Sequence, residues 1–158
     1  MFQIGDKIAH PMHGAGVIDD IEEKKVNGVV RSYYVLKLPV GGMMVMIPTE
    51  NCEEIGVRPV IDKAECDRVI DAFREIEIEM ESNWNRRYRE NMERLKSGNL
   101  LEVARVVKGL MLRDCNRGLS NGERKMLHSA KQILISELVL SQSCTYEEIE
   151  ERINLALA

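Results

Sequence analysis

The sequence changes character along Arg58-Pro59-Val60-Ile61-Asp62-Lys63-Ala64-Glu65, residues 58–65. Before Pro59, short apolar runs alternate with turn residues, a pattern typical of β-strands. After Pro59, apolar residues recur at helical spacing, and Asp62 with Glu65 forms a capping box, in which each side chain satisfies a free backbone amide of the first turn. We therefore predict a β domain at residues 1–58, a linker at 59–61 and a helical domain at 62–158.

The β domain contains runs that predict four strands: Phe2–Ala9, Gly16–Glu23, Val29–Leu38 and Met43–Pro48. Asn27-Gly28 suits the positive φ angles of a type I′ hairpin turn, and Gly41-Gly42 predicts a second tight turn. Four or five short strands in fewer than 60 residues cannot form a large sandwich. A small, strongly bent SH3-like or Tudor-like barrel is the expected fold.

The helical domain is marked by further capping boxes, which predict where helices begin. They are Asn99 with Glu102, Ser120 with Glu123, and Thr145 with Glu148. Ser82 is predicted to open one more helix, which gives about five in total. The fold class is therefore α+β with two domains: a small β-barrel followed by an all-α domain.

The composition is that of an ordinary globular protein, with 158 residues, 44% of them hydrophobic and 30% charged. No run approaches the roughly 20 apolar residues needed to cross a bilayer, and residues 1–6 do not resemble a signal peptide. We expect a cytoplasmic monomer without a membrane partner. The cysteines at 52, 66, 115 and 144 match no C-x-x-C pattern, which favours free buried thiols.

The motifs of common enzyme classes are absent from the sequence, including phosphate-binding loops, the dinucleotide fingerprint, H-E-x-x-H and G-x-S-x-G. His10-Pro11-Met12-His13-Gly14 brings two histidines close together, but no cysteine or carboxylate accompanies them at ligand spacing. A loop that ends a strand is the better interpretation. We expect no catalytic activity, no metal or other cofactor, and no small-molecule substrate.

Charge is strongly segregated although the net charge is only −4. Residues 84–131 carry 12 basic and 5 acidic groups. The basic residues of this block include Lys96, Arg105, Lys108, Arg113, Arg117, Arg124, Lys125 and Lys131. They could form a scattered solvated face, but the small number of acids favours a continuous basic surface.

The only tryptophan, Trp84, opens this basic block and is followed by Arg86, Arg87 and Arg89. One interpretation makes Trp84 a core anchor, because it shares a helical face with Tyr88, Met92 and Leu95. The other makes it an apolar wedge that enters a DNA base step while the arginines contact phosphates. Periodicity alone favours the core, whereas the charge around the residue favours the wedge.

These motifs also carry a resemblance to a known family. The relevant stretches are Ile4-Gly5-Asp6-Lys7, residues 10–16 (His-Pro-Met-His-Gly-Ala-Gly), Ile47-Pro48-Thr49-Glu50-Asn51, Ile55-Gly56-Val57-Arg58, Asn83-Trp84-Asn85-Arg86-Arg87-Tyr88, Arg117-Gly118-Leu119-Ser120 and Glu123-Arg124-Lys125-Met126-Leu127. Over nearly its full length the chain resembles the CarD family of bacterial transcription regulators, in its CdnL branch. The N-terminal pieces also resemble the polymerase-interaction domain of transcription-repair coupling factors, whereas the Trp-Asn-Arg-Arg-Tyr helix is specific to the CarD family.

The resemblance implies a Tudor-like domain that docks on the β subunit of RNA polymerase and a helical domain that contacts promoter DNA at the upstream edge of the transcription bubble. It implies that Trp84 is the wedge and that Arg86, Arg87 and Arg89 contact the DNA backbone beside it. The charge of the basic block predicts further DNA backbone contacts by Arg113, Arg124, Lys125 and Lys131. The resemblance also implies polymerase contacts by Lys24, Lys25, Val26 and Met46, although some relatives carry arginine at the last position. Met43, Met44 and Met46 could instead form a soft apolar docking surface.

Two other functions are compatible with the sequence. The chain could be a nucleic-acid-binding module that acts without polymerase, but its net charge of −4 opposes strong non-specific duplex binding. It could also be a protein-interaction adaptor, but the basic block and Trp84 favour a nucleic-acid partner.

Overall fold

The computed structural model describes residues 2–39, 42–78 and 82–157. Within these ranges the N-terminal part forms one antiparallel sheet of five strands in the order β4-β3-β2-β1-β5. The strands are β1 (Lys7–His10), β2 (Gly14–Val26), β3 (Val29–Lys37), β4 (Met44–Pro48) and β5 (Arg58–Pro59). Helices follow the sheet. The predicted α+β fold class is therefore confirmed.

Strands β2 and β3 form a long hairpin whose turn is the predicted Asn27-Gly28. Both residues have positive φ angles, 52° and 80°, as a type I′ turn requires. A bulge between Ile18 and Asp20 shifts the register of β2, and residues 19–31 beyond it are all exposed. The hairpin therefore projects from the body of the domain. The predicted turn at Gly41-Gly42 includes Gly41, which lies outside the described residues.

The edges of the β domain differ from the prediction. The first strand is shorter than Phe2–Ala9, because Gly5 adopts a φ of 94° and turns the chain before Lys7. A one-turn helix, α1 (Cys52–Ile55), precedes β5. Arg58 and Pro59, which the sequence assigns to the domain end and the linker, pair with Ala9 and Ile8 of β1. The sheet thus continues into the region that connects the two domains.

Five further helices follow residue 62 in the described part of the chain, as predicted. They are α2 (Lys63–Glu75), α3 (Trp84–Lys96), α4 (Leu100–Asn116), α5 (Asn121–Gln142) and α6 (Tyr146–Leu157). The side chains of Asp62, Ser120 and Thr145 accept hydrogen bonds from the amides three residues ahead. The predicted box at Asn99 is only partly formed: Asn99 caps the amide of Leu101, while Glu102 pairs with Arg94 at 3.4 Å.

The predicted start of α3 is one residue too early. Ser82 does not cap this helix; the cap is Asn83, whose side chain accepts a hydrogen bond from the amide of Arg86 at 3.0 Å. Asn and Ser are about equally good N-cap residues, so composition alone does not distinguish neighbouring candidates.

Each domain has its own apolar core, and the two domains meet on helix α5. The amide of Ala15 donates to Ser136 Oγ at 2.9 Å. Arg58 of β5 donates to both carboxylate oxygens of Glu137, at 2.6 and 2.9 Å, and the amide of Ile61 donates to the same carboxylate at 3.0 Å. Because the Glu137 side chain is only 2% exposed, this contact joins sheet and helices through a nearly buried carboxylate.

The cysteines are all free, as expected, but not all buried. Cys52 and Cys66 are buried and Cys144 is partly buried. Cys115 is exposed, which corrects the expectation, because the last turn of α4 extends beyond the helical core. No helix in the described ranges has the length and apolar character to cross a bilayer.

Candidate nucleic-acid interface

Helix α3 carries an apolar stripe that runs from the core to the surface. Leu95, near the end of the helix, is 3% exposed. Met92 and Tyr88 are partly buried and pack against the helical core. Trp84 in the first turn is 42% exposed. The predicted helical face is therefore present, but its tryptophan lies outside the core. The core-anchor interpretation of Trp84 is wrong, because the stripe extends one turn beyond the core.

The exposed indole of Trp84 is held by contacts to two helices. Its ring stacks on Tyr88 with centroids 5.1 Å apart and an angle of 20° between the planes. Its Nε1 donates a hydrogen bond to Ser120 Oγ, the N-cap of α5, at 3.1 Å. A Cβ atom at Gly122 would lie 3.6 Å from atoms of both aromatic rings. The N-termini of α3 and α5 therefore meet around these rings.

Arg87 is not available for the DNA backbone, which corrects the prediction for this residue. It is 2% exposed and donates to Glu123 through Nε at 2.9 Å and Nη2 at 3.1 Å. Its Nη1 donates to the carbonyl of Ser82 at 3.3 Å. A sequence signal was present, because the four-residue spacing places Arg87 and Asn91 on the same face of the helix as the apolar Leu95. All three side chains are buried.

The environment of Glu123 keeps it ionised although its side chain is only 2% exposed. Burial alone would raise the pKa of this carboxyl. The hydrogen bonds from Arg87 and the charge of that residue lower the pKa, as do the charge of Arg113 and a hydrogen bond from Ser120, and the net result is a lowered pKa. Arg113, 23% exposed, places Nε 3.9 Å from Glu123 Oε1. Glu123 thus holds Arg87 by two hydrogen bonds and attracts Arg113 at ion-pair distance.

The other basic residues of the block divide into an exposed group, which also includes Lys96, Arg105 and Arg117, and a buried one. Arg86, Arg89, Arg124 and Lys125 are exposed and Lys131 is partly exposed. Lys108, which the sequence placed on the basic surface, is 8% exposed. Its Nζ donates to the carbonyls of Phe73 and Ile76, both at 2.7 Å, at the C-terminal end of α2, and burial lowers its pKa. The basic surface is therefore less extensive than predicted.

Four of the exposed cations lie near two helix N-termini. Arg86 and Arg89 belong to the first two turns of α3, and Arg124 and Lys125 to the first two turns of α5. The two helices meet through Trp84 with Ser120 and through Arg87 with Glu123. Helix N-termini favour anions, because their amides point outward and the helix dipole is positive there. This end of the domain is suited to phosphate groups.

The residues predicted for polymerase binding do not form one cluster. Lys24, Lys25 and Val26 are exposed near the tip of the β2–β3 hairpin, where Lys24 pairs with Arg31. Met46 is partly exposed on β4 and pairs with Val35. Arg31 and Val35 are separated by about 13 Å along β3. Val29 and Val30, which are absent from the predicted contacts, expose 53% and 60% of their surface next to the lysines.

The two histidines make a local turn. Their rings lie 4.6 Å apart, and His10 Nδ1 accepts a hydrogen bond from the amide of Met12 at 3.0 Å. Burial, followed by the charge of His13, lowers the pKa of His10. Among the described residues, no group of three or more His, Cys, Asp or Glu side chains could hold a metal ion.

Comparison with known proteins agrees with this two-part architecture. A family model described as the CarD-like/TRCF RID domain matches residues 2–61, and one described as the CarD C-terminal domain matches residues 68–154. A protein of Bacillus subtilis (strain 168) named "Putative transcription factor YdeB" is 39% identical over 150 residues, which cover 95% of this chain and 98% of that protein. The two models match the sheet domain and the helical domain in turn, and together they define the class of protein. The chain belongs to the CarD family of transcription factors.

Proposed function

We propose that the protein docks on the β subunit of RNA polymerase and stabilises the open promoter complex through contacts to DNA at the upstream edge of the bubble. It acts without catalysis, as a cytoplasmic monomer that reaches the nucleoid through polymerase. One observation carries the proposal: Trp84 is 42% exposed in a chain where the other apolar residues of its stripe are buried or partly buried.

The DNA side of the proposal depends on the surroundings of Trp84. Apolar side chains that enter the minor groove partly unstack a base step, and nearby cations hold the backbone. Arg86 and Arg89 of α3 and Arg124 and Lys125 of α5 are exposed in the first two turns of the helices that meet at the indole, and they can contact phosphates. Lys131 and Arg113 are partly exposed, and we expect additional DNA backbone contacts from them. Arg87 acts indirectly, because its pairing with Glu123 joins α3 to α5.

A wedge stabilises the open complex only if it binds opened DNA better than closed DNA. Opened DNA offers an unstacked step next to the bubble, against which an exposed indole can stack. A difference of roughly 1.4 kcal/mol in binding free energy would change the opening equilibrium about tenfold. In this proposal the exposed arginines and lysines contact the DNA backbone and not the base edges, so little sequence preference is expected.

The polymerase side of the proposal depends on the β2–β3 hairpin. Residues 2–61 match a domain shared with transcription-repair coupling factors, which supports a polymerase partner. The hairpin exposes Val26, Val29 and Val30 beside Lys24 and Lys25. Exposed apolar residues next to charges are typical of protein interaction sites. Met46 lies on the edge strand β4, where it can contribute a second part of the interface.

Two experiments test the halves of this proposal separately. Trp84→Ala is expected to shorten the lifetime of open promoter complexes about tenfold or more while the protein still binds polymerase. Leu155→Ala is the control, because Leu155 is 64% exposed but belongs to α6. Equal lifetimes with wild type and Trp84→Ala would contradict the wedge.

The second experiment reverses charge at the hairpin. Lys24→Glu with Lys25→Glu is expected to weaken binding to the polymerase β subunit, measured with purified components. Lys63→Glu with Arg74→Glu changes the net charge equally on exposed positions of α2 and should bind normally. If both double variants bind like wild type, the interface lies elsewhere on the sheet. If the wild-type protein does not bind polymerase and DNA alone recruits it, the polymerase-independent module becomes the better description.

A further inference from the structure

The hydroxyl of Ser120 links the exposed indole to the start of helix α5. Ser120 Oγ accepts hydrogen bonds from Trp84 Nε1 at 3.1 Å and from the amide of Glu123 at 3.2 Å. It donates its own proton to Glu123 Oε1 at 3.3 Å. A serine hydroxyl has one donor and two acceptor sites, so all of them are used here. The same carboxylate binds Arg87.

The two contacts of the indole restrict different motions. Stacking on Tyr88 keeps the two planes within 20° of each other, but a stacked ring can still slide and turn within its plane. The hydrogen bond from Nε1 to Ser120 fixes the direction of the N–H edge, which is the only hydrogen-bond donor of the side chain. Tyr88 and Ser120 belong to different helices, so the indole has a defined orientation only where α3 and α5 meet.

We propose that Ser120 is a positioning residue for Trp84, and that it holds the indole in its DNA-binding orientation before DNA arrives. This inference rests on the proposed function of Trp84 as a wedge. Ordering a side chain at an interface reduces affinity, and a side chain ordered in advance avoids this loss. Without the Ser120 hydroxyl, the exposed indole must be ordered during binding, so the open complex should form less readily and decay sooner.

A purely structural role for Ser120 as a helix cap can be separated from positioning, because the chain contains a matched capping box. At the start of α6, Thr145 Oγ1 accepts from the amide of Glu148 at 3.2 Å and donates to Glu148 Oε1 at 3.2 Å. This geometry is the same as at Ser120, but Trp84 bonds to Ser120 and not to Thr145. Thr145→Ala therefore removes an equivalent cap and leaves the indole contact in place.

The test uses the intact protein with Ser120→Ala, Ser120→Thr and Thr145→Ala. Because Trp84 is the only tryptophan, intrinsic fluorescence reports on this side chain alone. Time-resolved anisotropy in the free protein measures how freely the indole moves. The lifetime of open promoter complexes, measured with polymerase and promoter DNA, gives the functional effect.

If Ser120 positions the indole, Ser120→Ala should increase the amplitude of the fast anisotropy decay, which reports local motion of the ring. It should also shorten the open-complex lifetime about 2- to 10-fold. Ser120→Thr retains the hydroxyl and should restore both values. Thr145→Ala should change neither. Wild-type anisotropy in Ser120→Ala would overturn the inference, as would a wild-type lifetime when Trp84→Ala shortens it. If Trp84→Ala itself leaves the lifetime unchanged, the proposed function fails and the positioning role falls with it, even where the anisotropy effect is present.

Discussion

Glu123 accepts two hydrogen bonds from the guanidinium of Arg87, at 2.9 and 3.1 Å, and both side chains are only 2% exposed. The pair joins the first turns of α3 and α5 directly beneath the surface that presents Trp84. Removing charges from water costs free energy that only a well-formed pair offsets. The two residues therefore depend on each other, and the loss of either one leaves a buried charge.

Truncation of this pair is expected to destabilise the helical domain strongly. Glu123→Ala should lower the free energy of unfolding by about 3–5 kcal/mol, because Arg87 would remain buried without its carboxylate. Urea unfolding followed by circular dichroism measures the change. The double variant Arg87→Met with Glu123→Leu removes both charges and should recover much of the loss. A Glu123→Ala protein as stable as wild type would show that Arg87 reaches solvent.

The same pair predicts a dependence of stability on pH. Folding lowers the pKa of Glu123 below its ordinary value of 4.5, so the unfolded chain takes up its proton at a higher pH than the folded protein. The contribution of the pair is complete above pH 4.5 and is lost as the pH falls through the lowered folded value. Unfolding measured from about pH 6 downward should show this loss, and Glu123→Gln should reduce it. An identical acid profile in the two proteins would contradict the assignment.

Trp84→Ala should destabilise the protein less than truncation of a core aromatic residue. The indole is 42% exposed, so the truncation removes the stacking on Tyr88, worth about 0.5–1.5 kcal/mol beyond area burial, and only part of the apolar burial that a core residue would lose. Phe73→Ala is the matched comparison, because Phe73 is an aromatic residue of the same domain and is 1% exposed. It should cost about 3–5 kcal/mol. Similar shifts of the melting temperature in the two variants would contradict the observed placement of Trp84.

Gly14 tests the contact between the domains. It has a φ of +90°, and a Cβ atom there would lie 2.6 Å from Ser136 Oγ. Gly5 has nearly the same φ, +94°, but a Cβ atom at that position would have no neighbour within 4 Å. Both alanine variants should lose about 1–3 kcal/mol from backbone strain. Gly14→Ala should lose more, because α5 must also move away. Equal unfolding free energies in Gly14→Ala and Gly5→Ala would show that α5 accommodates the added methyl group at Gly14 without a loss of stability.

Local signals in the sequence predicted most of the fold. The site was harder to predict, because some of its side chains pair with residues far away in the sequence. The caps at Asp62, Ser120 and Thr145 act over three residues and are visible in the sequence. The partners of Arg87 and Lys108 are 36 and 35 residues away. Basic residues are usually exposed, so composition assigned both to the surface. Only the packing of the helices brings Arg87 to Glu123 and Lys108 to the end of α2.

The two-residue strand β5 was missed for a different reason. Arg58 and Pro59 are too few to show an alternating pattern, and proline reads as a break. Their pairing with β1 depends on Ile8 and Ala9, about 50 residues earlier in the chain.

Arg58 belongs at once to the sheet and, through Glu137, to helix α5. The connection between the domains is therefore a rigid contact and not a flexible linker. In the proposed complex, the distance from the hairpin tip to the indole is a property of the folded protein, so the anchoring point on polymerase sets how far along the DNA Trp84 can reach. A residue inserted after Pro59 would not lengthen the distance from the hairpin tip to the indole. That distance can change only if the ion pair between Arg58 and Glu137 breaks.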